Sequence, residues 1–216
     1  ITATATAEDN DERLEVYGIY DEGGDIDITI NNSGDIVVTG TSEYGDVKVR
    51  GITVWEDSTG TVTNSGTILV NGESEEGWIC AKGIHLDDTD GMTVVNTATG
   101  VIEVHVVADE DGGNARGIHV GQDDSLITNN GQIIATATGN GDERVHATGI
   151  HNSGEGGTVV NNGSIQAEIS LDTDYDGSIY DVRATGIHMG DLGNEGTTLV
   201  RNTSMDSIVA QAMIYA

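Results

Sequence analysis

The stretch DTDYDGSIYDVR at 172–183 places Asp172, Asp174 and Asp176 at alternate positions ahead of Gly177 and Ile179. Alternating carboxylates followed by glycine form the first half of an EF-hand calcium loop, where the oxygens converge on one hard cation and glycine allows the sharp turn. Arg183 stands where the bidentate glutamate belongs, so Asp181 is the expected fourth ligand. With no flanking helices, a solvated acidic insertion is the competing reading. Calcium is the one cofactor to which the sequence points.

A second set of chemistry-bearing residues is periodic. His85, His119, His151 and His188 each follow a Gly-Ile pair, with Tyr20 and Thr53 at the same place in the two earlier copies. A row of imidazoles can pack, bind a transition metal or form a proton-sensitive seam, and the spacing leaves open whether the row faces in or out. Arg50, Lys82 and Arg116 immediately precede three successive Gly-Ile pairs, where other copies have Tyr17, Thr148 and Thr185. This cationic ladder is expected to salt-bridge to neighbouring carboxylates; the alternative is a clamp for acidic polysaccharide. No Gly-x-Ser-x-Gly elbow, phosphate-binding Gly-Lys-Ser/Thr loop, His-Glu-x-x-His or paired-cysteine motif occurs, so the chain reads as a non-enzyme, with a polysaccharide lyase or hydrolase as the rival.

The elements that position these residues follow from the same repeat. Gly-Ile recurs at 18, 51, 83, 117, 149 and 186, in steps of 33, 32, 34, 32 and 37 residues. An asparagine recurs with it, two residues after a β-branched residue, as Asn32, Asn64, Asn96, Asn129, Asn161 and Asn202. A short turn and an alternating segment follow each asparagine, for example Ile68/Val70 and Ile133/Ala135/Ala137. Period two means strands with one buried face. Each copy therefore holds three short strands, and six copies of about 32–37 residues describe an all-β parallel β-solenoid with coils stacked about 4.8 Å apart. The absence of phenylalanine suits a narrow core. Asparagine favours a sharp corner, and stacked amides are expected to bond one another up the axis.

The units ATGIH…GTVVNNGSIQA at 147–167 and RGIH…LITNNGQIIATATG at 116–139 resemble the passenger repeats of bacterial autotransporters and related surface adhesins. That resemblance covers nearly the whole chain and implies a right-handed β-helix displayed outside the cell. The organisation expected is one solenoid over 1–216, with an N-terminal strand and loop at 1–17, six repeats at 18–206 and a C-terminal strand at 207–216.

ITATATAEDNDER at 1–13 aligns with IIATATGNGDER at 133–144. Ile1, Ala3 and Ala5 thus occupy third-strand positions, as do Ile208, Ala210 and Ala212 at the other end. Both ends are expected to be open strand edges, which template association unless capped. Heterologous contacts that do not close make filaments, so the expected partner is a second copy, joined head-to-tail with possible strand exchange. The resulting reading is a structural subunit of an extracellular filament or adhesive fibre, with a monomeric adhesin passenger fragment as the alternative.

Composition narrows the rest. Thirty-seven acidic against eight basic side chains give a net charge of -29, which excludes nucleic acid as a partner. No apolar run is long enough to span a bilayer as a helix. The acidic residues gather in the connections between strands, where stacking should line them up in ridges. Cys80 is the only cysteine and reads as a small buried apolar residue. Asn31, Asn162 and Asn202 lie in Asn-x-Ser/Thr acceptors.

Overall fold

Apolar residues that alternate with polar ones along every repeat produce strands rather than helices, and a computed structural model of the chain contains strands alone among the described residues. The structure describes residues 1–8, 12–24, 26–89, 91–121, 123–139, 144–172, 181–190, 199–202 and 208–215. In chain order the strands are β1 (Thr2–Ala7), β2 (Leu14–Asp21), β3 (Asp27–Asn32), β4 (Asp35–Ser42), β5 (Val47–Trp55), β6 (Thr59–Asn64), β7 (Thr67–Ser74), β8 (Ile79–Asp87), β9 (Thr93–Asn96) and β10 (Val101–Ala108). They continue as β11 (Gly113–Val120), β12 (Leu126–Asn129), β13 (Gln132–Gly139), β14 (Val145–Asn152), β15 (Thr158–Asn161), β16 (Ser164–Asp172), β17 (Val182–Met189), β18 (Leu199–Asn202) and β19 (Ile208–Tyr215).

Every third strand pairs, in parallel, with its counterpart in the next copy. The strands carrying Gly-Ile form a six-stranded sheet from β2 to β17, and those ending at the ladder asparagine form a second, from β3 to β18. The strands after the turn form a seven-stranded sheet from β1 to β19. The fold is the parallel β-solenoid that the repeat implied, of the right-handed type that the resemblance implied. The six strands of the Gly-Ile sheet are separated by five steps, so the path makes about five turns where the copy count anticipated six.

Register holds residue type constant up the stack. Ile36, Ile68, Ile102, Ile133 and Ile165 form one fully buried column, and Ile52, Ile84, Ile118 and Ile150 face them from the Gly-Ile sheet. The neighbouring column runs Val38, Val70, Val104, Ala135, Ala167, which keeps the interior narrow. Full burial of one such branched aliphatic side chain contributes roughly 1.5–3 kcal/mol relative to leaving it exposed.

The Gly-Ile position is a fold in the strand. In β8, Ile79 and Ala81 point inward, and so do Ile84 and Leu86, so the inward alternation shifts by one residue at Gly83. A Cβ on Gly83 would overlap the Ile102 side chain and the Gly117 carbonyl, and Gly51 and Gly117 are hemmed in the same way. Two consecutive inward residues bend the sheet away from solvent, and the outward residues on either side, Lys82 and His85, close on a crease.

The acidic connections stack as expected. Glu76 N–H donates to Glu43 O at 3.0 Å, Glu110 N–H to Glu75 O at 2.9 Å, and Asp57 N–H to Asp88 O at 2.7 Å. Glu56, Asp57, Asp88 and Asp124 have φ between 38° and 54°, a left-handed conformation that aspartate enters more readily than most residues.

Candidate functional site

Two columns of polar residues are buried in this solenoid, and they differ in how they are satisfied. The asparagine column behaves as the sequence led us to expect. Nδ2 of Asn32, Asn64, Asn96, Asn129 and Asn161 donates to Oδ1 of the asparagine one rung on, at 2.8, 2.9, 2.8, 2.7 and 3.0 Å. The second amide hydrogen of each finds a carbonyl, as Asn96 does with Gly100 and Gln132. An amide carries both donor and acceptor, so a stack of them satisfies itself. Asn202, on the last rung, receives a bond yet is exposed.

The other column lies outside the apolar core, in the crease at Gly-Ile. Arg50, Lys82 and Arg116 occupy successive rungs of β5, β8 and β11, with His85, His119, His151 and His188 three residues further along β8, β11, β14 and β17. Arg50, Lys82 and His85 are only 5%, 6% and 1% exposed. His85 and His119 thus face outward from the core yet are buried, His151 is half-buried, and His188, on the last rung, is exposed. Their rings lie 5.1, 4.9 and 4.6 Å apart, the first two pairs nearly parallel at 9° and 13°. Ring nitrogens direct their lone pairs in the ring plane, so faces stacked this way do not converge on a shared metal. Among the described residues no three His, Cys, Asp or Glu side chains are placed to hold one.

The expected salt bridges from this ladder to the acidic ridges do not form. Among the described residues no carboxylate lies within ion-pair distance of Arg50, Lys82 or Arg116; the pairs that do form involve Arg13, Lys48, Arg144, Arg183 and three histidines. The reason is geometric: the ladder is sunk in the crease, while most acidic residues sit on the connections, and Asp87, at the end of β8, lies 3.7 Å from His85 Nε2 rather than against a ladder cation. Lys82 Nζ instead contacts His119 Nδ1 at 2.7 Å. Arg50 lies 5.6 Å from the Tyr17 and Trp55 ring centroids, within cation–π range. Trp55 meets His85 edge-on at 5.6 Å.

This environment shifts the titrations downward. Burial pushes Lys82 down to about 7, with Arg50 and Arg116 adding to it against the opposing pull of Cys80 and Asp87. Burial first, then the neighbouring cations, pushes His85 down to about 2, and burial with Arg116 brings His151 to about 3. His119 moves the same way for the same reasons. His85, His119 and His151 are therefore neutral at pH 5. Cys80 is free and half-buried on the outer face of β8 rather than in the core.

The remaining sequence-derived residues are distributed as follows. Ile1 is exposed, Ala3 and Ala5 pack against the core from edge strand β1, and Ile208 does so from β19. Ala210 is exposed, and the backbone of Ala212 pairs with Ile169. Asp172 ends β16, while Asp174 and Asp176 lie outside the described residues. The Asp181 carboxylate is held among His146 Nε2 at 3.1 Å, Arg144 Nε at 3.6 Å and Arg183 Nη2 at 3.7 Å. Asn31 and Asn162 are exposed, the latter bonded to Asn130.

Sequence reading missed Trp55 as part of the crease; its position two residues after Thr53, on the same face of β5, was the available signal. It also missed a shallow cavity of about 260 Å³ on the outer face of the seven-stranded sheet, lined by Thr39, Thr41, Asn71, Glu73, His105 and Val107 among others.

Neither the curated proteins nor the solved structures contain a match to this chain. A family model does match, over residues 2–214, and its description is the BigA third pectate lyase-like domain. With nearly every residue aligned to that model and the parallel coils that the description implies, the chain belongs to the BigA third pectate lyase-like domain family.

Proposed function

We propose that the chain is a non-enzymatic, adhesin-like β-solenoid of the bacterial cell surface that joins other solenoid coils end to end. The observation that carries this reading is that, among the described residues, the outermost strands of the seven-stranded sheet have one neighbour each: β1 pairs with β4, and β19 with β16. In β1, Ile1 O accepts from Val37 N–H at 2.8 Å. Backbone groups in a parallel strand alternate sides, so Thr2, Thr4 and Thr6 direct their peptide groups to the open edge. Such an edge is a template for another strand. A second copy stacked head-to-tail gives a filament.

A second reading has its own support. The family description numbers a third domain, which favours a module whose neighbours are further domains of one long surface protein. "Pectate lyase-like" describes a coil architecture that many activities share. An enzyme needs positioned acid–base groups; many of the described carboxylates sit on stacked corners, and strand carboxylates such as Glu15 and Glu103 pair with neighbouring side chains of their own sheets.

The test is negative-stain microscopy and sedimentation of the purified chain, with Thr4→Pro as the variant. Proline removes a donor at the free edge and leaves the β4 ladder intact. Filaments or concentration-dependent oligomers that Thr4→Pro abolishes support self-assembly; a monomer at all concentrations rejects it and leaves the module reading. Calcium at Asp172, Asp174, Asp176 and Asp181 belongs to this proposal as a stiffening ligand of the longest repeat.

A further inference from the structure

We infer that the crease at the Gly-Ile fold is a binding site for a small oxyanion, a single carboxylate or sulfate group, held by Arg50, Lys82 and Arg116 beside Trp55. Three cations on successive rungs are sunk into one groove of a chain with 37 acidic side chains, and among the described residues no carboxylate lies within ion-pair distance of any of them; Asp87, at the end of β8, is the carboxylate of the groove and stands 3.7 Å from His85 Nε2 instead. On adjacent rungs, about 4.8 Å apart, like charges repel, and Arg50 and Arg116 both push the Lys82 pKa down. Lys82 relieves part of this by shedding its proton near neutrality; the two guanidinium groups have no such escape.

Lys82 is held by His119, but other donors of the groove are unpartnered: among the described residues Arg50 Nε and Trp55 Nε1 are buried without an acceptor, and both ring nitrogens of His85 are likewise without a hydrogen bond. These groups adjoin one another through the Arg50–Trp55 and Trp55–His85 contacts. A buried donor without an acceptor keeps the full cost of its lost hydration, and native proteins leave few of them. An oxyanion satisfies this donor set and offsets the cation repulsion together, because it brings only acceptors and negative charge. A water molecule would satisfy donors without lowering the charge.

The same electrostatics limit the ligand's size. The field of a chain at -29 repels a polyanion before it reaches the crease, whereas a lone anion, or the one acidic group of an otherwise neutral sugar, meets little of that barrier. Half-buried Trp55 and Arg116, more accessible than Arg50 and Lys82, form the mouth, and an indole beside a cation suits an anionic group attached to a ring.

The experiment is a calorimetric and fluorescence titration of the whole chain with sodium sulfate, sodium acetate, glucuronate and glucose, against sodium chloride at matched ionic strength. Saturable binding of the oxyanions but not of glucose or chloride, with a change in tryptophan emission, is the expected result. Arg116→Gln, at the mouth, should weaken binding at least tenfold with an unchanged circular dichroism spectrum, and Trp55→Phe should weaken it less while removing the emission change. Should Arg116→Gln lose the fold, Trp55→Phe and the chloride control still decide. Tighter binding of glucuronate than of acetate assigns the natural source to a sugar; equal binding assigns it to a free anion. Oxyanion responses no different from chloride, or undiminished binding in folded Arg116→Gln, would overturn the site.

Discussion

The asparagine ladder and the cationic crease are both buried polar columns generated by one repeat, and they show what repetition does to different chemistries. Stacking a group on itself satisfies it when it is donor and acceptor at once. The five amide-to-amide bonds between 2.7 and 3.0 Å are the outcome. Stacking a donor-only cation on itself compounds charge and leaves hydrogens unmatched, as at Arg50. The first column therefore belongs to stability. The second stands against stability, and that cost is what points to binding.

The largest expected effect is at the middle of the ladder. Asn96→Ala removes bonds to Asn64, Asn129, Gly100 and Gln132 and strands buried partners on both sides. A loss of about 3 kcal/mol is expected, visible in chemical denaturation as a lower midpoint.

Acid offers a smaller effect confined to the crease. His85 and His151 titrate in the folded chain at about 2 and about 3 against 6.5 when free. The unfolded chain therefore binds more protons below pH 6.5, and stability must fall as pH drops from there toward 3, by up to about 1.4 kcal/mol per unit for each group. Lys82 acts likewise between 10.5 and about 7. His85→Gln should flatten the slope of midpoint against pH between 6.5 and 4 relative to the parent, a difference that cancels the carboxylates common to both. Parallel slopes would mean that the imidazole is not buried as described.

The smallest effect concerns the longest repeat. Calcium should raise the melting temperature by no more than a few degrees and Asp174→Asn should remove the response, since one surface ligand stabilises only by its mass-action term. No heat on calcium titration would retire that site and leave Asp181 to the cations around it.

Much of this was legible in the sequence because a solenoid writes its register into its period. Gly-Ile and asparagine marks located all three sheets, and the amide ladder followed from side-chain chemistry at one fixed rung spacing. The crease was not legible, for a physical reason. Whether Lys82 faces a carboxylate depends on the bend at Gly83, where the inward alternation shifts and draws residues 82 and 85 together. Spacing alone placed the cations next to the acidic ridges; the third dimension sank them beneath. The half-buried outer-face position of Cys80 and the part played by Trp55 depend on the same bend.

The most direct test compares thermal unfolding of Asn96→Ala and Arg50→Met, each with and without sodium sulfate. A buried charge without a partner can be replaced by an apolar side chain at little loss or with a gain, so Arg50→Met should melt at or above the parent and lose the sulfate response. Asn96→Ala should melt about 6–12 °C lower and keep it. If Arg50→Met falls as far as Asn96→Ala, the arginine is a structural partner and the contrast between the two columns is wrong.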